Sequence, residues 1–484
     1  MKRWIGDRFA MRNLRRTAWR ACFVLSVPGM TGCALMQPTD PLVPVADVHG
    51  PVAAVDAAVA AEPFAEASID QPLGLQDCMA LALAHNPAIQ QGYWNAAEAA
   101  AQRDQVASQR WPGLTLEGGY RQFLDEQRLV GIRAPGEPGV WSSGQYSADV
   151  VVNLPLFTGG RIMNTMRAAE LLTRAAQHQL ARTRGELVFN VTSVFYAILG
   201  QRQVIASLAF SQTTLQEHRQ RVQALLDAGK AARVDLLRTE VRLADLEQRL
   251  VEQRNVLTIQ RQTLLNLLGA EGKPDWLPEI AGELSLQAFD VPPDPLTLAR
   301  AQRRDYQAAQ AQCVAQAHAV DAVRGEHAPV LALAGTYGRR WAAGSTLEQE
   351  GASGDEDVGS IGLTLSMPLF QGGRIQAEVR GAQARLASTQ ERLRELELRI
   401  RLDVQNALAN LQASRERIRA TDVSIAQARE SLRIEREKYD VGQGSITDVL
   451  DAQTALLEAE TSHAQTLAAY HRAVAQYHLA VGDE

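Results

Sequence analysis

Apolar residues recur at every seventh position along much of the second half of this chain. Leu386, Leu393, Ile400 and Ala407 form one series; after a slip of four residues, Leu411, Ile418, Ile425, Leu432 and Tyr439 form the next. Heptads interrupted by a four-residue stutter describe a long helix whose supercoil changes along its length. The pattern predicts two rods, 161–227 and 374–440. Each has 67 residues and a helical length of about 100 Å. Each rod runs into a glycine turn, Ala228-Gly229-Lys230 or Val441-Gly442-Gln443-Gly444, and a shorter helix returns over 233–268 or 446–481. Further helical patterns cover 75–109, broken near its start at Asn86-Pro87, and its counterpart 297–326.

The period changes to two in four other places. In 113–123, Leu114, Leu116 and Tyr120 oppose Thr115, Glu117 and Arg121. In 145–157, Tyr146, Ala148, Val150, Val152 and Leu154 oppose Ser147, Asp149 and Asn153. In 330–341, Leu331, Leu333, Tyr337 and Trp341 oppose Thr336 and Arg340; in 358–369, Ile361, Leu363, Leu365 and Met367 oppose Ser360, Thr364 and Ser366. These segments have the length of a tilted transmembrane strand. The linking segments 124–144 and 342–357 are polar and read as surface loops. Four strands cannot close a barrel, and lipid tolerates no open sheet edge, so spanning strands require several copies of the chain. Eight, twelve or sixteen strands all satisfy that condition.

The alternation and the heptads belong to a duplication. Val152-Asn153-Leu154-Pro155-Leu156-Phe157-Thr158-Gly159-Gly160-Arg161-Ile162 returns 213 residues later as Leu365-Ser366-Met367-Pro368-Leu369-Phe370-Gln371-Gly372-Gly373-Arg374-Ile375. The same offset relates Gly229 to Gly442, Asp235 to Asp448 and Gly269 to Gly482; upstream of the phrase it is 217, relating Pro112 to Pro329 and Tyr120 to Tyr337. Pro155 and Pro368 remove a ladder donor where each strand is expected to end. Gly159-Gly160 and Gly372-Gly373 then let strand become helix, which makes all six residues architectural. The expected organisation is a signal sequence over 1–34, an extended linker over 35–72, a first repeat over 73–270, a connector over 271–295 and a second repeat over 296–482.

The signal is carried by Arg12, Arg15, Arg16 and Arg20 ahead of the short apolar run 21–30, with Met11 as an alternative start to Met1. Met30-Thr31-Gly32-Cys33 resembles a lipobox that would lipidate Cys33; Gly32-Cys33-Ala34 reads equally as a peptidase site that discards it. Cys78 and Cys313 sit in helical patterns as small buried hydrophobes. A net charge of −6 without a basic patch excludes a nucleic-acid partner. The nine histidines show no metal spacing, and His471 and His478, seven apart, read as packing or exposed side chains. There is no phosphate loop and no catalytic constellation, so no cofactor or metal is expected and the chain does not read as an enzyme.

Three features together resemble the TolC family of outer-membrane efflux and secretion channels across residues 73–482. They are the opening Leu73-Gly74-Leu75-Gln76-Asp77 with Ala82-Leu83-Ala84-His85-Asn86-Pro87, the paired Pro-Leu-Phe-x-Gly-Gly-Arg phrase, and the run from Lys438 through Gly442, Gly444 and Asp448 to Gln453. The resemblance implies a homotrimer in which four strands per chain build a twelve-stranded β-barrel in the outer membrane, continuous with a periplasmic α-helical barrel. It implies docking on a periplasmic adaptor and an inner-membrane transporter, of ABC type if the cargo is an exported polypeptide. The nearest resemblance is to the exit duct of type I toxin secretion; the alternative is the outer component of a drug efflux pump.

Asp448 and Asp451 lie three apart on one helical face. The resemblance implies that such carboxylates ring the periplasmic entrance, while the bland alternative is stabilisation of a helix N-terminus. Gly229, Asp235, Leu236, Gly442, Gly444, Val449 and Leu450 correspond to the adaptor-docking tips; core packing is the competing reading for the apolar ones. The family pattern has Arg where this chain has Gly444, a departure that removes the ground for a constriction built on that Arg. A soluble coiled-coil scaffold would explain the heptads but not the export signal or the duplicated strands.

Overall fold

The computed structural model describes residues 72–483 except 133–134, 230–231, 271–278 and 349–353. The signal sequence, Cys33, the linker up to residue 71, Lys230 and the start of the connector lie outside the described residues.

The helices follow the periodicity closely. Helices α1 (Leu75–His85) and α2 (Pro87–Ser108) meet at Asn86, whose side chain accepts a hydrogen bond from Ala88 N at 2.8 Å and so caps α2, with Pro87 at its first position. Strands β1 (Gly113–Arg128) and β2 (Val140–Phe157) precede the first rod, α3 (Arg161–Asp227), and its return helix, α4 (Arg233–Leu268). The second repeat runs α5 (Pro295–Gln302), α6 (Arg304–Arg324), a 3₁₀ turn (Gly325–His327), β3 (Val330–Glu348), β4 (Asp355–Ser366), α7 (Arg374–Asp440) and α8 (Ile446–Val481). Both rods have the expected 67 residues. Along α7, Ile400, Ala407, Leu411, Ile418 and Leu432 of the heptad series are buried. The expected single helix 297–326 is broken at Arg303, in extended conformation (φ −60°, ψ 120°).

The strands form one antiparallel sheet in the order β1-β2-β3-β4. They reach further than the alternation suggested. Residues 124–128, 140–144, 342–348 and 355–357 are strand, because ladder hydrogen bonds continue through polar residues once the apolar alternation stops. Pro155 lies inside β2, opposite Ala332, where the register shifts, and β2 ends at Phe157; β4 ends at Ser366, ahead of Pro368.

Within one chain α3 packs against α2 and α6 on the sheet side of the rod and against α4 and α8 along the rest. Rod α7 packs against α6 and α8. The main cores sit in these seams: Leu187, Val191, Phe195 and Ile198 of α3 with Cys78 of α1 and Leu264, Leu265 and Leu268 of α4, and Ile400, Val404 and Ala407 of α7 with Tyr477, Ala480 and Val481 of α8. Cys78 is fully buried, which pushes its thiol up to about 12, and both Cys78 and Cys313 are free.

The break at Arg303 has a counterpart in the first repeat. Asn86 Nδ2 donates to Leu267 O at 2.8 Å, and the equivalent Arg303 Nη1 lies 3.4 Å from Ala480 O, the residue 213 beyond Leu267. The C-caps Gly269 and Gly482, both with positive φ, press on the same breaks: an added Cβ would stand 2.4 Å from His85 O and 2.8 Å from Arg303 N. Each return helix is thus anchored at a helix break. The first anchor is neutral. The second is ionic, with Arg303, 2% exposed, paired to Asp305 at 2.6 Å and Asp403 at 3.0 Å.

Candidate functional site: an open barrel segment and the rod tips

The sheet has two unlike faces. Leu114, Leu116, Val150, Tyr337, Ile361, Leu363 and Leu365 are exposed on one. On that face Tyr120 stands opposite Tyr146, and Tyr146 opposite Trp341, which makes an aromatic row across three strands. The rings of Tyr120 and Tyr146 are 4.8 Å apart. Trp111 and Phe157 mark the other limit, near the helices, and both are exposed. Trp111 precedes Tyr120 by nine positions, seven of them within β1, a span of at most about 30 Å. A tilt near 40° brings that to about 23 Å, close to the apolar height of outer-membrane barrels. The opposite face carries Glu117, Arg121, Asp149 and Arg340, with Arg340 paired to Asp149 at 2.6 Å. Apart from Arg339, Asp355 and Asp357 beside the aromatic row, the exterior is apolar with aromatic borders and the interior charged, the division a water-filled barrel needs. No helix among the described residues is long and apolar enough to cross a membrane.

At the junctions, Gly159 and Gly160 have φ +62° and +80°, and Gly372 and Gly373 repeat these values at +61° and +81°. Their surroundings differ. A Cβ on Gly159 would stand 2.4 Å from both Ala328 Cβ and Gly325 O, whereas one on Gly372 would meet nothing within 4 Å.

At the far end of the rods, Gly229 (φ +68°) and Gly442 (φ +77°) reverse the chain in open surroundings. Gly444 is crowded instead: an added Cβ would lie 3.0 Å from Tyr439 N. Ser445 caps α8 by accepting from Thr447 N at 3.1 Å. Asp235 and Asp448 occupy the first turns of α4 and α8, and Asp448 and Asp451 are both exposed. Val449 and Leu450, expected as candidate adaptor contacts, are buried at 2% and 7%. Leu450 joins the core of α3, α4 and α8 against which Leu236 is half-buried, and Val449 packs with Leu432. Val449 and Leu450 thus lie on the inward face of α8, opposite the face that carries Asp448 and Asp451, while Leu236 of α4 stays partly accessible. Leu237 and Val441 remain exposed.

Polar links between helices near the tip were not legible in the sequence. Arg238 donates to Thr447 Oγ1 at 3.1 Å, and Arg221 pairs with Asp440 at 3.5 Å. His218 packs near Tyr439, with ring centroids 5.7 Å apart, and its Nε2 is buried without a partner among the described residues. Burial, then Arg221 and Arg436, push its imidazole below the ordinary value against the opposing pull of Asp440. The unfolded chain therefore takes up a proton first. Tip stability is expected to fall as pH drops below about 6.5, measured as loss of protease resistance that His218→Asn removes.

Two stretches, 79–270 and 296–483, match the sequence profile of the family described as outer membrane efflux protein. The chain belongs to this family. It is similar to the outer membrane efflux protein BepC of Brucella suis biovar 1 (strain 1330), 24% identical over 309 residues that cover 63% of this chain and 65% of BepC. The outer membrane protein TolC of Escherichia coli (strain K12) is 24% identical, covering 61% of each chain. The proteases secretion protein PrtF of Dickeya chrysanthemi is 27% identical over 268 residues, 53% of this chain and 55% of PrtF. The chain thus spans under two thirds of these relatives' lengths. The outer-membrane channel OprN has the same fold, with a TM-score of 0.71 at 22% identity over 85% of this chain and 90% of OprN. The TolC-family resemblance carried by the sequence motifs is the one these comparisons return. Family membership makes the chain an outer-membrane transport protein rather than an enzyme.

Proposed function

We propose that three copies of this chain form a twelve-stranded barrel and a helical tunnel, the exit duct of a tripartite export system. The observation that carries the reading is the mismatch between the two repeats. In the first, α3 is flanked on both sides by packed helices; in the second, α7 lacks the partners corresponding to α6 and α8. By the offsets, those partners are α2 and α4 of a second copy. Leu398 and Leu402 of α7 and Val251 and Ile259 of α4 are exposed apolar residues available for that seam. The empty space at Gly372 would likewise be filled by Ser108 and Trp111 of a second copy, the counterparts of Gly325 and Ala328.

The same mapping sets the barrel register. Val150 faces Tyr337 across β2–β3; their equivalents are Leu363 on β4 and Tyr120 on β1 of a second copy. Both lie on the apolar face, so the register keeps the two faces of the sheet continuous. Leu363→Cys with Tyr120→Cys, in a background lacking the native cysteines, is expected to give an SDS-resistant cross-linked trimer. Shifting one cysteine by a single residue should abolish it, because the side chain then points to the other face.

The tips dock a periplasmic adaptor that links the duct to an inner-membrane transporter. In a trimer Asp448 and Asp451 contribute six carboxylates around the axis at the entrance, a ring that favours cations and is blocked by multivalent ones. Asp448→Asn with Asp451→Asn is expected to weaken block by a trivalent cation at least tenfold in planar-bilayer recordings; unchanged block would leave the two residues as helix-terminus charges only.

The cargo reading favoured here is a polypeptide driven by an ABC-type transporter, supported by the similarity to PrtF. The similarity to BepC supports a second reading, small-molecule efflux. Comparing culture supernatants and drug susceptibilities of parent and deletion strains separates them. Loss of one secreted polypeptide with unchanged susceptibility is expected; unchanged supernatant with increased drug sensitivity would replace the first reading by the second.

A further inference from the structure

Where α1, the middle of α3 and the end of α8 meet, the chain forms a partly open cavity of about 430 Å³. We propose that it is a binding site for an amphiphilic monoanion: an apolar body of drug size carrying one carboxylate. The volume falls in the range of small-molecule sites. Its wall is apolar and aromatic, built from Met79, Val188, Phe189, Tyr196 and Val474. Arg182 and Arg304 line it as well. Arg182 is already engaged, with Glu186 at 2.8 Å and Leu479 O at 3.2 Å. Arg304 is exposed and donates only to Gln307 Oε1, at 3.2 Å, with no carboxylate partner among the described residues. Its fork is free to receive an anion. Glu186 and Asp483 lie nearby, but Glu186 is held by Arg182 and Asp483 by His478 at 3.2 Å.

The two histidines singled out in the sequence both reach this cavity. His471 is buried, stacks on Tyr196 with centroids 4.0 Å apart and planes 5° from parallel, and donates from Nε2 to Ser285 O at 2.8 Å. Burial holds its imidazole below the ordinary value, opposed by that hydrogen bond, so the ring enters the wall as a neutral aromatic surface. An apolar wall beneath a free guanidinium selects a ligand with an apolar body and an anionic head.

The duplication shows that this chemistry is not a by-product of the scaffold. Through the same offsets, Arg182, Phe189 and Tyr196 map to Glu395, Leu402 and Ala409, and His471, His478 and Arg304 map to Thr258, Leu265 and Pro87. Every aromatic and cationic member is replaced in the other seam. The cavity also lies in the α3–α8 seam, which one chain closes by itself, so assembly with other copies does not have to fill it.

Dodecanoate is the probe. The full chain, reconstituted in lipid nanodiscs, is dialysed against labelled dodecanoate, with empty nanodiscs as the partition control. Saturable uptake of one molecule per chain is expected, with at least tenfold weaker binding in Arg304→Gln and none in Ala475→Phe, which fills the cavity. Both variants should keep the parent's thermal unfolding midpoint, since Arg304 is exposed and Ala475 faces empty space. Dodecanol and dodecyltrimethylammonium should partition equally with and without protein. Non-saturable uptake equal to that of empty nanodiscs overturns the site. Binding lost in Ala475→Phe but unchanged in Arg304→Gln overturns the anionic ligand class.

Discussion

Arg303→Ala is expected to destabilise the helical region by about 3 kcal/mol, the cost of leaving the partly buried Asp305 carboxylate and the Ala480 carbonyl without their partner. The arginine is 2% exposed and holds Asp305, Asp403 and the Ala480 carbonyl together. Denaturant unfolding followed by circular dichroism in detergent measures the loss. The first repeat supplies the control. Its equivalents are Asn86, Ala88 and Asn190, a neutral set holding the same return-helix carbonyl. Transplanting that set, as Arg303→Asn, Asp305→Ala and Asp403→Asn together, is expected to recover most of the loss. A triple variant as unstable as Arg303→Ala would mean that the ionic anchor does more than replace the neutral one. Burial pushes the Asp305 carboxyl up, but the hydrogen bond and charge of Arg303, with Arg182, outweigh it and hold the group below the usual carboxylate range. Its contribution is present above the unfolded value of about 3.9 and is lost as pH falls through the depressed native value. The triple variant should lose that acid sensitivity.

The second large effect is expected at the strand-to-rod junctions. Gly159→Ala combines a left-handed backbone with a Cβ 2.4 Å from Ala328 Cβ and Gly325 O. Backbone strain of about 1–2 kcal/mol and overpacking of about 1–3 kcal/mol add in the same direction. Gly372→Ala has the same backbone with open space around it in one chain. In the dissociated chain it is expected to cost only the backbone strain. In the assembled protein the two variants should converge, because Ser108 and Trp111 of a second copy then occupy that space. Heat dissociation of the trimer, read on gels, tests this; a Gly372→Ala trimer as heat-stable as the parent would argue against the register proposed for the seam.

The helices were legible because burial repeats every seven residues and because glycine and proline mark where it stops. Both rods end where Gly229 and Gly442 stand, and both start after a Gly-Gly pair. The break at Arg303 carried neither signal. It was available only by applying the 217-residue offset to Asn86, since Asn-Pro marks the first break and Arg-Arg the second. The strand ends escaped for another reason: beyond the bilayer both faces of a strand are wet, so alternation ceases while pairing continues. At the tip, the sequence placed Asp448 and Asp451 on one helical face, and both side chains are exposed. It left Val449 and Leu450 between docking and core, and both are buried within the chain. Links such as Arg238 to Thr447 join residues 209 apart, and no local pattern announces them.

The strands continue well past the aromatic row. β1 runs eight residues beyond Tyr120 and β3 seven beyond Trp341, about 25 Å of additional sheet. In the proposed barrel a collar of that height would lift the mouth above the lipid headgroups. Cargo leaving the proposed duct would be released clear of the membrane plane, so an apolar cargo would have no shared boundary with lipid on its way out.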